Sequence, residues 1–216
     1  MAMTLLSSHS PHYLSSSLLN PLLLVKNYSY NNKQLQIQRK TRNSFFITRA
    51  MRAVVQRVTS ASVEVDGSIV SQIGPGLLVL IGVHDSDSDS DSNYICRKVL
   101  NMRLFPNENT GKAWDQSVMQ KNYEVLLVSQ FTLYGTLKGN KPDFHVAMPP
   151  QRAKPFYETV VENFRKSYNP DSIKDGIFGA MMKVNLVNDG PVTLQLESPQ
   201  TSKLGTSKSN NDAEEP

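Results

Sequence analysis

A chain of 216 residues, 39% of them hydrophobic, can bury a real core as one large or two small domains. No apolar run approaches the ~18–20 residues a membrane-spanning helix requires, and the single cysteine, Cys96, excludes an internal disulfide framework or a cysteine-cluster metal site. Of the 23 basic residues, six lie in 1–50, which hold no Asp or Glu; 17 basic and 19 acidic residues remain in 51–216, near −2. The overall basicity therefore belongs to the leader and is no evidence for a nucleic-acid-binding body.

Residues 1–50 are rich in serine, carry Lys26, Lys33, Arg39, Lys40, Arg42 and Arg49, and have the composition of an organelle transit peptide. The alternative is an untranslated or disordered extension, with Met51 starting the functional protein. The tail 199–216 has almost no large apolar residues and reads as disorder. The domain is accordingly expected at 51–198.

Within it the pattern favours mixed α/β. Residues 52–58 and 61–65 read as strands, and Asp66-Gly67 as a hairpin turn into 68–73. Gly74-Pro75-Gly76 punctuates the chain before GLLVLIGV (76–83), an apolar run expected to be buried on both faces. HDSDSDSDSN follows. An EF-hand starting at Asp85 would need glycine and a bidentate acid where Ser90 and Cys96 stand, so the segment reads as a solvated loop capping the next helix through Ser92 or Asn93. That helix carries Ile95, Val99 and Met102 on one face and ends before Pro106; Cys96 reads as a buried small hydrophobe on it.

Val125–Val128 make a short buried strand that breaks into Ser129, Gln130, Phe131 and Thr132. Hydroxyl and amide groups at a buried strand end must find partners. The stretch is either a polar exit leading to a turn at Gly135 or a rigid mount for groups aimed at a ligand. A long polar loop, 135–150, precedes an amphipathic helix over Gln151–Tyr168, with Ala153, Phe156, Tyr157, Val160, Val161 and Phe164 at helical spacing. Its basic residues read as a solvated face. Two alternating strands close the domain, Met182–Leu186 and Val192–Glu197, joined by Asn188-Asp189-Gly190-Pro191. A hairpin turn would explain that junction, although proline lacks a donor and X-Pro is the bond most tolerant of a cis peptide.

SQFTL at 129–133 together with NDGPVT at 188–193 resembles the D-aminoacyl-tRNA deacylases, ester hydrolases of chiral proofreading. The resemblance runs from MRAVVQRVTSASVEV at 51–65 through GLLVLIGV to PVTLQLES at 191–198, covering the domain and neither tail; KGNKPDFH at 138–145 is similar to the eukaryotic form. It implies a single compact α/β domain with a barrel-like mixed β-sheet core and flanking helices. It also implies a homodimer with active sites at the subunit interface, and no cofactor or metal. The substrate it implies is the ester joining a D-amino acid, or glycine, to the terminal adenosine of tRNA.

By the same resemblance the Gly190-Pro191 peptide is cis and enters the partner's site, its carbonyls facing the substrate α-carbon and amine so that an L-side chain is excluded. Asn188, Val192 and Thr193 flank it. Ser129, Gln130, Phe131 and Thr132 are assigned to adenosine binding and oxyanion support, with water organised by the ribose 2′-OH and Thr132 accessory rather than nucleophilic. Arg57 braces the Gly-Pro loop, and Phe178 and Met182 line the pocket; ordinary packing explains these three equally well. Two alternatives stand beside this reading. One is a relative that clears glycine or L-amino acids from mischarged tRNA, and the other a non-catalytic dimeric nucleic-acid-binding protein. A form starting at Met51 is expected in the cytoplasm, and a translated leader directs the chain to plastid or mitochondrion.

Overall fold

The computed structural model describes residues 50–199; the readings for the leader and the tail lie outside them. Among these described residues, ten strands and two α-helices follow in order. A long first strand β1 (Arg52–Val65) turns at Asp66-Gly67, both in the left-handed region (φ 50° and 80°), into β2 (Ser68–Ile73). β3 (Gly76–Gly82) leads to α1 (Asp89–Asn101), and a small hairpin follows, β4 (Phe105–Asn107) and β5 (Lys112–Gln116). After β6 (Glu124–Ser129) comes a second hairpin, β7 (Thr136–Lys138) and β8 (Lys141–Asp143). α2 (Pro150–Ser167), β9 (Ile173–Asp175) and β10 (Lys183–Glu197) complete the described residues.

The main sheet runs β10-β1-β3-β6-β9, with β2 also on β1. β1 pairs antiparallel with β10 along one edge and, along the other, with β3 and then β2. β3, β6 and β9 are parallel, and β2 lies against β6 and β9, so the sheet nearly closes on itself. The alternation of side chains divides the interior in two. Leu77, Val79, Ile81, Val125 and Leu127 pack under α1 and α2 with Ile95, Val99, Tyr157, Val160 and Phe164. Leu78, Leu126 and Val128 point the other way, into the curl of the sheet, where they meet Val58, Val63 and Ile73. The apolar runs of β3 and β6 are buried on both faces for that reason, as parallel strands require.

Several expectations change. The two N-terminal strands are one, because β10 runs beside their whole length with register shifts that absorb the irregularity between Gln56 and Ser60. α1 begins at Asp89, earlier than the Ser92 or Asn93 cap: Ser88 precedes it, and its N–H donates to the Asp91 carboxylate at 2.9 Å. That Ser-x-x-Asp pattern was present in the acidic repeat. Ser92 is instead buried in the helix, where its Oγ accepts from Asn163 of α2 at 3.0 Å. The polar loop after β6 contains the β7–β8 hairpin, whose Gly139-Asn140 turn is itself a two-residue hairpin signal. The last two strands are a single β10. Among the described residues no helix is long and apolar enough to cross a membrane.

Candidate functional site

The junction inside β10 follows from its register. Asn188 pairs with Val58 and Thr193 with Gln56, so Asp189, Gly190, Pro191 and Val192 stand opposite Arg57 alone. Four residues against one cannot lie in the ladder, and the excess bulges out. The Gly190-Pro191 peptide in it is cis. Gly190 has φ +112°, and a methyl there would lie 2.9 Å from both an Arg57 guanidinium nitrogen and Val192 Cγ2; only glycine fits comfortably.

Arg57 sits beneath this excursion. Its Nε pairs with the Asp189 carboxylate at 2.9 Å, its Nη1 donates to the Leu104 carbonyl at 2.6 Å, and its guanidinium lies 5.7 Å from the Trp114 ring centre. Asn188 ties the neck, its Nδ2 donating to the carbonyls of Arg57 (3.3 Å) and Val192 (3.1 Å) and lying 3.5 Å from Thr193 Oγ1. Asp189 lay within the NDGPVT motif without a role, and Leu104 and Trp114 were not anticipated. They come from other elements, and nothing local in the sequence couples them to Arg57.

The second motif occupies the C-terminal end of β6. Ser129 is the last strand residue, paired with Ile81. Gln130 leaves the strand, its N–H donating to the Ile81 carbonyl at 2.7 Å. Phe131–Tyr134 then form one 3-10 turn, closed by Leu133 N–H to the Gln130 carbonyl. A 3-10 turn reaches back three residues, so the Phe131 and Thr132 amides have no acceptor within it. The Gln130 side-chain amide donates to the Thr132 hydroxyl. Phe131 is 59% exposed and meets Phe144 edge-on at 5.0 Å.

Tyr134 anchors the turn from below. It is buried, its hydroxyl donates to the Ala50 carbonyl, and its ring contacts His84 edge-on and the Arg52 guanidinium face-on. Arg52 in turn donates to the Leu133 carbonyl at 2.8 Å. Burial pushes the Tyr134 phenol far above its ordinary value. The nearby Asp87 carboxyl, which accepts the His84 N–H at 2.7 Å, is raised to about 7, chiefly by desolvation.

Phe178 and Met182 reach the same end of β6. The Gly176 N–H donates to the Leu127 carbonyl and carries the chain past the strand end. Phe178 packs partly buried against Tyr157 at 5.7 Å, and Met182 joins the cluster inside the sheet. A methyl on Gly176 would lie 2.7 Å from Met182 Sδ.

The two motifs do not meet within one chain. Ser129 aligns through Ile81 with Ala53, four residues along β1 from Arg57 and two strands away, which at ordinary strand spacings is about 16 Å. No group of three or more metal-ligating side chains occurs among the described residues.

Comparison with known proteins supplies the context. The family described as D-Tyr-tRNA(Tyr) deacylase matches residues 54–197. The chain is 55% identical over 148 residues to the D-aminoacyl-tRNA deacylase of Dictyostelium discoideum, covering 68% of this chain and 98% of that one. It is 57% identical over 149 residues to D-aminoacyl-tRNA deacylase 1 of Mus musculus, covering 69% and 71%. Among solved structures, the c-Myc DNA unwinding element binding protein superposes with a TM-score of 0.66 at 55% identity, covering 69% of this chain and 99% of that one. A probable eukaryotic D-amino acid tRNA deacylase shares the fold at 18% identity with a TM-score of 0.60, covering 68% and 99%.

Proposed function

The chain belongs to the D-Tyr-tRNA(Tyr) deacylase family, and from that premise we propose that it hydrolyses the ester of D-aminoacyl-tRNA, releasing the D-amino acid and tRNA. Glycine mischarged on tRNA is a substrate under the same gate, since hydrogen passes where an L-side chain does not. The domain responsible is 51–198, between a leader and a tail that take no part in the chemistry.

The observation that carries the mechanism is the separation of the two motifs. A site that needs both the SQFT turn and the Gly-Pro excursion is incomplete in one chain, so a second copy supplies the missing half. β10 is suited to that contact: it is the outer strand of its path, and Leu186, Val187 and Leu194 are exposed on it. An apolar edge strand of this kind is a template for association.

In the assembled site the terminal adenosine lies at Ser129–Thr132, with Phe131 offering an aromatic face. The Phe131 and Thr132 amides are placed to receive the oxyanion as water attacks the ester carbonyl. Thr132 does not act as nucleophile, because its hydroxyl's side-chain partner is the Gln130 amide and not a base. The ribose 2′-OH of the substrate orients the water instead. The partner's Gly-Pro carbonyls exclude an L-side chain, and Arg57, through Asp189 and Leu104, fixes where those carbonyls stand. Phe178 and Met182 close the side of the site nearest β9.

The leader directs import into plastid or mitochondrion, and a form initiated at Met51 stays in the cytoplasm; fluorescent fusions of the two forms separate if this holds.

A non-catalytic nucleic-acid-binding dimer is the second reading, favoured by the solved relative named for a DNA element. The near-neutral body of the domain argues against it. Paired D- and L-aminoacyl-tRNAs incubated with the purified protein decide the matter. Loss of the D-ester with the L-ester spared is expected, and equal rates on both would overturn the chiral gate.

A further inference from the structure

Residues 51–216 are slightly acidic as a whole, so attraction to a polyanionic substrate has to come from a local patch. The β7–β8 hairpin is one, and nothing in the chemistry above uses it. It projects beside the SQFT turn, joined to it by the Phe131–Phe144 contact. All of β7 is exposed, including Leu137 at 72%. Lys138, 74% exposed, reaches the Asp143 carboxylate across the hairpin at 2.5 Å, while Lys141 has no ion-pair partner among the described residues. Asp143 is held near 2 by Lys138 and then His145. The contact with Lys138 bridges the two strands of the hairpin.

Resting on the deacylase reading, we propose that this hairpin grips the single-stranded 3′ end of the tRNA just before the terminal adenosine, Lys141 and Lys138 neutralising its phosphates and Leu137 lying against an unstacked base. Charge complementarity and continuity with the SQFT turn favour a nucleic-acid strand over a protein occupant. A strand whose last nucleoside is seated on Phe131 can leave past Phe144, and that route runs along the hairpin bearing Lys138 and Lys141. Phosphates supply affinity without base selectivity, so the contact serves any tRNA presenting a free 3′ end. Asp143 offsets part of the attraction, and its ladder position, with Thr136 Oγ1 donating to its carbonyl at 3.3 Å, makes it a hairpin brace first.

The test compares a D-aminoacyl-tRNA with the same D-amino acid esterified to adenosine alone, using the full chain and its Lys138→Ala/Lys141→Ala form. The double substitution is expected to raise KM for the tRNA ester about tenfold and to flatten its salt dependence by about one to two phosphate contacts. Turnover at saturation and hydrolysis of the adenosine ester stay at the wild-type level. An unchanged KM and salt slope on tRNA would overturn the assignment. So would equal losses on both substrates, which would make the hairpin a support for the SQFT turn, or a shift from dimer to monomer, which would make it a subunit contact. If the unaltered protein cleaves neither ester, the deacylase reading fails. Anisotropy titration with uncharged tRNA then still decides on the hairpin, through the same comparison of affinity and salt slope.

Discussion

Thr132 separates two mechanisms by magnitude. As a nucleophile its loss would remove the attacking oxygen and cost many orders of magnitude. As a hydroxyl that accepts one hydrogen bond from Gln130 it contributes about 0.5–1.5 kcal/mol. Thr132→Ala is therefore expected to keep activity within roughly tenfold of wild type, whereas a 3′-aminoacylated tRNA ending in 2′-deoxyadenosine is turned over far more slowly; single-turnover rates on the two check it. Asp87 offers a second residue-scale prediction. Its folded-state value is raised to about 7 from 3.8 by burial, so the folded state holds the proton more tightly than the unfolded chain. That stability is fully present below about 4, falls as pH rises, and is lost by pH 7 to 8. Asp87→Asn, which cannot ionise, should raise Tm at pH 8 and leave it nearly unchanged at pH 3.5. An equal shift at both values would show that the carboxyl's charge is not what matters.

At the scale of elements, β10 shows how an outward excursion is built from a ladder. Its register is locked on both sides of Arg57, so the three extra residues have nowhere to go but outward. Gly190→Ala tests this, because φ +112° and the 2.9 Å approach to Arg57 force either backbone or guanidinium to move. A stability loss of about 1–3 kcal/mol is expected in urea titrations, together with erosion of the D-over-L preference; wild-type selectivity would count against the excursion as gate.

The sequence made the apolar strands and α2 readable because their signals are local: a run such as VLLV or a repeat at helical spacing needs no partner to be recognised. The single β10 was not readable, since whether NDGP is a turn or a bulge depends on β1 running unbroken beside it. The hairpin β4–β5 was missed for a related reason, as its short strands are only three and five residues long and lack clean alternation. The motifs themselves were visible only through resemblance, while the supports of Arg57 are tertiary and left no local trace.

For the whole molecule, the decisive quantity is the distance between motifs that one chain keeps apart. Association through β10 is the proposed remedy, and Val187, 57% exposed, is a position where charge can be introduced without disturbing a buried core. Val187→Lys should shift the protein to monomer in sedimentation velocity and abolish D-ester turnover while leaving circular dichroism unchanged. A monomer with full activity would show that one chain suffices. Mixing a Gly190 variant of eroded selectivity with a variant inactivated in the SQFT turn should restore part of the D-over-L preference if each site draws on two copies.

The protein has one tryptophan, and its ring lies beside the guanidinium that holds the Gly-Pro excursion. Trp114 is 59% exposed, so its emission is that of a wet indole with a cation at its face. Anything that dries that corner or draws Arg57 away changes the colour and yield of the light. The enzyme thus carries a native optical probe at the proposed gate, and stopped-flow fluorescence on unlabelled protein can time the proposed arrival of a second copy or a substrate apart from the bond cleavage that follows.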